Sequence, residues 1–233
     1  MLEQILREGC AQMSLEINEK ALADFRYYYQ ELDEKNKVMN LTAITGEAES
    51  ARLHFLDSLS PLLVTKMDGC SVIDVGTGAG FPGLPLRIAC PGIHLTLLDS
   101  LNKRVDFLKG VCEGLGYGDV ECVHARAEEC AERREQYDYA VSRAVARLNV
   151  LCEFCLPYVK VGGAFLALKG PALVEELAEA EKAITQLGGK LEQVFEYAIP
   201  GEDAHHNIAL IRKVAPTPKK FPRRFAQIKK APL

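Results

Sequence analysis

An acidic residue followed by three closely spaced glycines is the feature of this sequence that most directly suggests chemistry. The segment VIDVGTGAGFPGLPL, residues 72–86, places Asp74 before Gly76, Gly78 and Gly80. Glycine adopts backbone conformations that other residues avoid, and it lets the main chain approach a ligand closely. Because a glycine-rich turn after a buried strand often holds a nucleotide, we expect a nucleotide-like ligand at this turn.

The details of the turn favour one class of ligand. The dinucleotide pattern G-x-G-x-x-G fails when read from Gly76, because Phe81 takes the last glycine position, and read from Gly78 it includes Pro82. A bound diphosphate rests on a helix N-terminus, and a carboxylate of Asp74 that points into this space would repel it. S-adenosylmethionine has no phosphate and carries a sulfonium and an ammonium cation. The turn therefore favours S-adenosylmethionine, with a nicotinamide or flavin nucleotide as the alternative.

Two further acids are expected at the ends of neighbouring strands. Asp99 ends the predicted second strand, where an acid usually accepts hydrogen bonds from ribose hydroxyls. Glu128 follows the predicted third strand in HARAEE and is expected to frame an adenine. Either acid alone could be a solvated loop residue. Acids at the carboxyl ends of three successive strands, Asp74 included, favour one shared ligand site.

The segment after the predicted fourth strand bears on the reaction. It reads VSRAVA, residues 141–146, and lacks the [DNS]-P-P-[YFW] loop common in enzymes that methylate exocyclic amines. No Pro-Cys or Thr-Cys loop for methylation of cytosine carbon 5 stands at a suitable strand end. A purine N7 needs neither device, because its lone pair lies in the ring plane and it has no proton to lose. Many other methyl acceptors share that property, so the pattern only permits N7 methylation.

Basic residues near strand ends are candidates for contacts with the acceptor. Arg143 is expected at the mouth of the acceptor site, where it would contact guanine O6, a phosphate or the cofactor carboxylate. A surface salt bridge is the alternative role for Arg143. Lys103, Arg126 and Lys169 are also expected near strand ends, where they could bind phosphates.

The elements that position these residues follow an α/β pattern. Residues 1–65 have helical spacing of apolar side chains and are expected to form an N-terminal helical extension. From Ser71, short apolar strands alternate with amphipathic helices, which indicates a parallel sheet with helices on both faces. The last two strands lie close enough in the chain to pair antiparallel. The predicted division is an extension (1–65), an α/β core (66–214) and a tail (215–233).

Charge is distributed unevenly along the chain. The net charge is −4, yet Arg212 to Leu233 contains eight basic residues and no acid, which leaves −12 in residues 1–211. This asymmetry indicates a basic arm on an acidic body. Four of the eleven prolines follow Val214, so we expect the tail to be unpacked.

Other features exclude several classes of protein. No run of about twenty apolar residues occurs, and the first residues lack the basic and apolar regions of a signal peptide. The eight cysteines are scattered, and CEFC (Cys152, Cys155) has no second pair to complete a zinc site. We therefore expect a cytoplasmic protein without a metal or a membrane anchor. We also expect a monomer.

Seven motifs of the chain resemble one known family. In order they are NLTAI, HFLDSL, DVGTGAGFPGLPL, LLDSLNKRVDFL, RAEE, SRAVA and ALKG. Their sequence and spacing are similar to those of the bacterial 16S ribosomal RNA guanine-N7 methyltransferases, also called the glucose-inhibited division protein B family. The resemblance implies a class I S-adenosylmethionine-dependent methyltransferase with a Rossmann-like sheet. Its implied activity is N7 methylation of a guanine in the 530 loop of 16S ribosomal RNA.

The resemblance also assigns roles to individual residues. It implies cofactor contacts at Gly76, Phe81, Ala127, Glu128 and Arg143. The implied partner is 16S ribosomal RNA or the small ribosomal subunit, which the tail would contact through phosphate-binding cations and stacking aromatic side chains. The candidate tail residues are Lys219, Lys220, Phe221, Arg223, Arg224, Phe225, Lys229 and Lys230.

Some functions stay open at this point. A nucleotide-dependent oxidoreductase would use the same glycine turn with a dinucleotide, and a non-catalytic RNA-binding or ribosome-assembly factor would keep the fold without the reaction. Asn40, His54 and Asp57 lie in family motifs, but the sequence assigns them no role beyond packing near the cofactor entrance.

Overall fold

One seven-stranded sheet organises the computed structural model, which describes residues 1–143 and 146–233. The strands are β1 Ser71–Val75, β2 His94–Asp99, β3 Glu121–His124, β4 Tyr137–Arg143, β5 Val159–Lys169, β6 Gly189–Ala198 and β7 His205–Lys213. Their order is β3-β2-β1-β4-β5-β7-β6, in which β1 to β5 pair parallel and β7 pairs antiparallel with β5 and β6. The expected parallel sheet with an antiparallel final pair is confirmed. Ala144 and Val145, in the motif SRAVA after β4, lie outside the described residues.

Helices precede the sheet and connect its strands. The α-helices are α1 Leu2–Gln12, α2 Glu19–Met39, α3 Glu47–Glu49, α4 Asp57–Leu59, α5 Gly83–Ala89, α6 Asn102–Gly114, α7 Leu148–Cys155, α8 Leu173–Gln186 and α9 Phe225–Lys230. A π-helix, Ser50–Leu56, joins α3 to α4, and a 3₁₀ helix, Ser60–Leu63, follows α4. Because π-helical turns are rare and often occur at functional sites, the segment from α3 to α4 is of interest for function.

Apolar side chains cover both faces of the sheet. On one face the N-terminal helices contribute Leu6, Phe25 and Phe55 to a core that continues into Val72 and Leu97 of the strands. On the other face α7 and α8 pack over a second core, which includes Ile73, Phe165, Leu151 and Ile184. Successive strand residues point to opposite faces, so a sheet buried on both sides requires the nearly continuous apolar strands seen in the sequence. The three-part division of the chain stays a prediction.

The C-terminal tail is packed, contrary to the expectation from its prolines and charges. Thr217, Phe221 and Ile228 are buried, and residues Phe225–Lys230 form α9. Phe221 belongs to the core beneath α7 and α8. Lys213, counted in the basic arm, is fully buried at the end of β7, and its ammonium donates to Leu156 O, Val159 O and Thr217 Oγ1. A few well-placed anchors therefore outweigh a composition typical of a flexible end.

No helix in the described parts of the chain combines the length and apolar character needed to cross a membrane. The CEFC cysteines, Cys152 and Cys155, are both buried in α7, where they act as small apolar side chains. Within residues 1–143 and 146–233, no group of three or more His, Cys, Asp or Glu side chains is arranged to hold a metal ion.

Candidate cofactor and acceptor site

The glycine turn between β1 and α5 is held by the neighbouring strand and by the N-terminal helices. The backbone N–H groups of Gly76 and Thr77 both donate to Leu98 O, at 2.9 and 3.1 Å. Gly76, Gly78 and Gly80 all have positive φ, at 73°, 61° and 112°, a region where a Cβ is strained. From α2, the hydroxyl of Tyr28 donates to Ala79 O. The extension thus helps to fix the shape of the turn.

Asp99 joins the end of β2 to the glycine turn. Its Oδ2 accepts from Gly78 N at 2.9 Å, and its Oδ1 accepts from Leu101 N at 2.9 Å. Arg104 lies 3.4 Å from the same carboxylate. Asp99 is 4% exposed and lines a cavity at the carboxyl edge of the sheet. Each carboxylate oxygen has more than one lone pair, so Asp99 keeps accepting capacity for ribose hydroxyls.

Asp74 does not point into the ligand space as the sequence argument assumed. It is fully buried beneath the turn, and its Oδ2 accepts from Thr77 Oγ1 at 2.6 Å and from Gly83 N at 2.8 Å. Its Oδ1 is buried without a hydrogen-bond partner. Burial raises the pKa of Asp74 to about 7, against the lowering effect of these hydrogen bonds and of Arg143. Asp74 therefore supports the turn from below, and it does not contact the cleft directly.

A cavity of about 210 Å³ lies beside the turn and brings several expected cofactor residues together. It is lined by Val75, Gly76, Leu98, Asp99, Ser100, Arg104, Ala125, Arg126, Ala127, Glu128, Leu151, Phe154 and Phe225. The charged side chains of the lining come from the end of β2 and from the segments that follow β2 and β3, and its largest apolar side chains come from α7 and the tail. Asp99 and Glu128 are its carboxylates and Arg104 and Arg126 its cations, so the charge of the lining does not by itself distinguish S-adenosylmethionine from a diphosphate. Sequence reasoning missed the α7 residues because nothing in their pattern distinguishes a cavity wall from a core face.

A second cavity, of about 360 Å³, surrounds Arg143. Its lining comes from the N-terminal segment and from the ends of β4 to β7: Ile44, Leu53, His54, Asp57, Arg143, Leu168, Lys169, Gly170, Tyr197 and His206. We call it the acceptor cavity. Phe81, in the glycine turn, contacts this group from below: its ring stacks on His54 at 4.3 Å, and the guanidinium of Arg143 lies 5.0 Å from its centre. Phe81 and Arg143 therefore lie at this second cavity and do not line the 210 Å³ cavity, and the cofactor contacts that the resemblance implies for them stay a prediction.

Asp57 is the centre of a buried polar network in the acceptor cavity. Its Oδ2 accepts from Arg143 at 2.7 Å, and its Oδ1 accepts from the Tyr197 hydroxyl at 2.7 Å and lies 3.3 Å from His206 Nδ1. Burial alone would raise the pKa of Asp57, but the bond to His206 and the charge of Arg143 outweigh it and lower the pKa. The same carboxylate raises the pKa of His206 through their hydrogen bond. The expected alternative for Arg143, a surface salt bridge, is wrong because the pair is almost fully enclosed.

His54 is held in one tautomer by its neighbours. Arg143 lies 3.2 Å from its Nδ1 and can only donate, so Nδ1 is the acceptor and the proton lies on Nε2. Nε2 then donates to Thr42 Oγ1 at 2.8 Å, and Thr42 is fixed by paired hydrogen bonds with the Asn36 side chain. Burial, followed by the charge of Arg143, lowers the pKa of His54 to about 3. The π-helix that carries His54 thus supplies a neutral ring to the site.

Asn40 ends α2 in the left-handed region, with φ 49°. The turn it makes leads into Thr42, so the NLTAI motif positions the partner of His54. His54 and Asp57 have contacts that the sequence did not reveal. Asn40 acts indirectly, because its turn directs the chain so that Thr42 reaches His54. No signal in one sequence would have paired residues about ninety positions apart.

The predicted RNA contacts divide into exposed and engaged residues. Lys169 is wrong as a free phosphate contact, because its ammonium is enclosed and bonds to Glu176 and to Ala146 O. Arg223 is likewise engaged, in a salt bridge with the fully buried Glu153. The other candidates are exposed at the surface: Lys103, Arg126, Lys219, Lys220, Arg224, Lys229 and Lys230. Their contact with RNA stays a prediction.

The fold is shared by solved methyltransferase structures. One similar structure is the precorrin-6y C5,15-methyltransferase from Geobacter metallireducens, with a TM-score of 0.50, 14% identity and coverage of 74% of this chain and 92% of that one. Another is TrmN from Thermus thermophilus, with a TM-score of 0.55, 16% identity and coverage of 77% of this chain and 53% of that one. The sheet order and the cleft at its carboxyl edge define the class I S-adenosylmethionine-dependent methyltransferase fold, as expected from the sequence.

The family follows from closer relatives. A family model described as GidB, rRNA small subunit methyltransferase G, matches residues 21–205. A protein called ribosomal RNA small subunit methyltransferase G from Alkaliphilus metalliredigens is 50% identical over 99% of this chain and 98% of its own length. The chain belongs to the GidB family, and the resemblance inferred from its motifs is confirmed.

Proposed function

We propose that this protein transfers a methyl group from S-adenosylmethionine to N7 of a guanine in the 530 loop of 16S ribosomal RNA. Membership of the GidB family supports a small-subunit rRNA substrate. We further propose that it acts in the cytoplasm as a monomer, on ribosomal RNA or the small subunit. The observation that carries the choice of N7 is the acceptor cavity, in which the candidate general bases Asp57 and His54 are already hydrogen-bonded.

The 210 Å³ cavity fits the adenosine part of the cofactor. Asp99 offers acceptors to ribose hydroxyls, and Ala127 with Glu128 frames the place for an adenine. Gly78 has positive φ and open space where a Cβ would lie, so the turn leaves room above it. When bound, S-adenosylmethionine supplies an electrophilic methyl group on its sulfonium sulfur. The turn and Arg143 then separate the adenosine side from the acceptor side.

The acceptor cavity holds groups that orient a base. Both oxygens of Asp57 accept hydrogen bonds, and both ring nitrogens of His54 have partners. The hydrogen bond that His206 Nδ1 donates to Asp57 raises the pKa of His206 and so favours its protonated form. Guanine N7 attacks with a lone pair and gives up no proton, so alignment suffices. An amine or ring carbon acceptor would also need a general base, which N7 does not.

The test is to map the methylated nucleotide chemically. Purified protein, S-adenosylmethionine and either 16S rRNA or small subunits from cells lacking the gene are incubated together. The RNA is then reduced with borohydride and treated with aniline, which cleaves at 7-methylguanosine, and primer extension reads the position. We expect one new stop in the 530 loop. A matched transcript with 7-deazaguanine lacks the N7 lone pair and should accept no methyl group. Transfer to the 7-deaza transcript would overturn the N7 assignment.

A thermal-shift assay tests the oxidoreductase, and the mapping experiment together with a variant tests the assembly factor. Stabilisation by S-adenosylhomocysteine and none by NADP would exclude the oxidoreductase. A non-catalytic assembly factor would give no methylation in the mapping experiment, and its biological role would survive the Gly78→Arg substitution. For a methyltransferase we expect that variant to lack the rRNA methylation in cells.

A further inference from the structure

One aromatic ring of the C-terminal tail lies at the mouth of the cofactor cavity. Phe225, the first residue of α9, is 42% exposed and is part of the cavity lining. Its ring is nearly parallel to that of Phe154, with centres 6.3 Å apart and an angle of 15°. The guanidinium of Arg126 lies 5.4 Å from its centre. An exposed aromatic ring beside a cavity gains stabilisation when a planar ligand covers it.

The position of Phe225 is fixed by a buried ion pair two residues earlier. Glu153 of α7 is fully buried, and Arg223 donates to it from its backbone N at 2.8 Å, from Nε at 2.8 Å and from an Nη at 2.6 Å. Such a multiply hydrogen-bonded pair has one geometry. Phe154, the next residue of α7, lines the cavity. One helix therefore supplies both the anchor of the tail and the wall that Phe225 faces.

A second anchor holds the tail before the ion pair. The guanidinium of Arg134 donates to the carbonyl oxygens of Thr217, Pro218 and Phe221. Thr217 N also donates to Glu135 at 2.7 Å. The path of the tail from β7 to α9 is thus set by the segment that follows β3, which also carries Ala127 and Glu128. The segment that carries Ala127 and Glu128 therefore also holds the tail in place.

We propose that Phe225 is a cofactor-binding residue that stacks on the adenine of S-adenosylmethionine, an inference that rests on the proposed function. Ala127 and Glu128 place the adenine at this end of the cavity, and Phe154 and Phe225 offer it aromatic surface there. Phe225 then completes a cofactor site and is not a platform for an unpaired RNA base. The exposed cations Arg224, Lys229 and Lys230 lie on the same segment.

The test is binding of S-adenosylhomocysteine to the full chain without RNA, measured by titration calorimetry. We expect Phe225→Ala to weaken binding about 10-fold, within the range found for aromatic stacking on a base. Phe225→Trp keeps a stacking surface and should bind within about 3-fold of the unchanged protein. Gln227→Ala, an exposed position on α9, is the matched control and should leave the affinity unchanged. Circular dichroism confirms that each variant is folded.

The outcomes separate this inference from the proposed function. If Phe225→Ala binds S-adenosylhomocysteine as tightly as Gln227→Ala, while the unchanged protein still methylates rRNA, then only the role of Phe225 is overturned. If the unchanged protein does not bind S-adenosylhomocysteine, the proposed function is overturned and this inference with it. Loss of affinity in Phe225→Ala and recovery in Phe225→Trp support both.

Discussion

Two buried aspartates, one on each side of the glycine turn, have opposite electrostatic environments. Asp74 lies beneath the turn, with one oxygen bonded to Thr77 and Gly83 and the other without a partner. Asp57 lies in the acceptor cavity with both oxygens bonded and Arg143 against it. Burial raises the pKa of Asp74 to about 7, whereas the pKa of Asp57 is lowered despite its burial.

The difference shows that neighbours decide whether a buried acid carries charge. Desolvation disfavours the charged form of both residues, and of the two only Asp57 has a cation in direct contact and donors on both oxygens. The sequence argument gave the electrostatic role to Asp74 and none to Asp57, which reverses what the contacts support. At the glycine turn the site is shaped by the backbone, whereas in the acceptor cavity it is shaped by charged side chains.

The largest expected effect comes from breaking the acceptor network. Asp57→Ala leaves Arg143 enclosed without its carboxylate and removes the acceptor of Tyr197, so we expect the free energy of unfolding to fall by about 3–5 kcal/mol. Glu179→Ala breaks the exposed pair with Arg147, in which both side chains are more than half exposed. It should cost less than about 1 kcal/mol. Urea denaturation measures both, and equal losses would contradict the distinction between the two pairs.

The next effect is a pH dependence that Asp74 alone produces. Its pKa in the folded chain, about 7, is above the ordinary value of 3.8. The contribution of Asp74 to stability is then greatest below about pH 4 and is lost as the pH rises from about 4 to about 7, by up to about 4 kcal/mol. Asp74→Asn removes this loss, so the variant should gain stability relative to the unchanged protein across that range.

Urea denaturation at several pH values measures this gain as the difference between the two proteins. The difference excludes His54, whose lowered pKa acts in the opposite direction in both of them. It also excludes Asp57, which has a lowered pKa in both proteins. The stabilisation that Asp57 contributes is present at pH values above the ordinary pKa of an aspartate and is lost as the pH falls. A difference that stays constant between about pH 4 and pH 7 would show that Asp74 is ionised in the folded chain.

The fold was predictable because its signals are local. The apolar runs SVIDV and HLTLLD predict β1 and β2 with the bounds that the structure has, since each run ends at a glycine or an acid. The apolar run AFLALKG predicts a fifth strand from Ala164, but β5 begins at Val159. It begins earlier because Val159 pairs with Tyr137 before a register shift at the glycine pair Gly162–Gly163. A glycine pair reads as a turn in a sequence, and only the neighbouring strand shows that pairing continues through it.

The site was predictable only where its residues lie at the ends of strands. Gly76, Asp99 and Glu128 follow directly from strand ends, and they do line one cavity. Arg143 was placed at the acceptor side, but its partner Asp57 is 86 positions away in the chain. The tail was misjudged because its composition says nothing of Glu153, the buried acid that Arg223 meets. Long-range pairs of this kind need the three-dimensional path of the chain.

The smallest of these effects, in free energy, concerns the open side of the turn. A Cβ at Gly78 would meet nothing within 4 Å, whereas one at Gly83 would lie 2.8 Å from Asp74 Cβ. Gly78→Arg should therefore fold, at a backbone cost of about 1–2 kcal/mol for its positive φ, and place a cationic side chain over the cleft. We expect binding of S-adenosylhomocysteine to weaken at least about 100-fold, or about 2.7 kcal/mol. Gly110→Arg adds the same side chain in α6, where space is also open, and should leave the affinity unchanged. Calorimetry compares the two, and equal affinities would mean that the cofactor does not lie above the glycine turn.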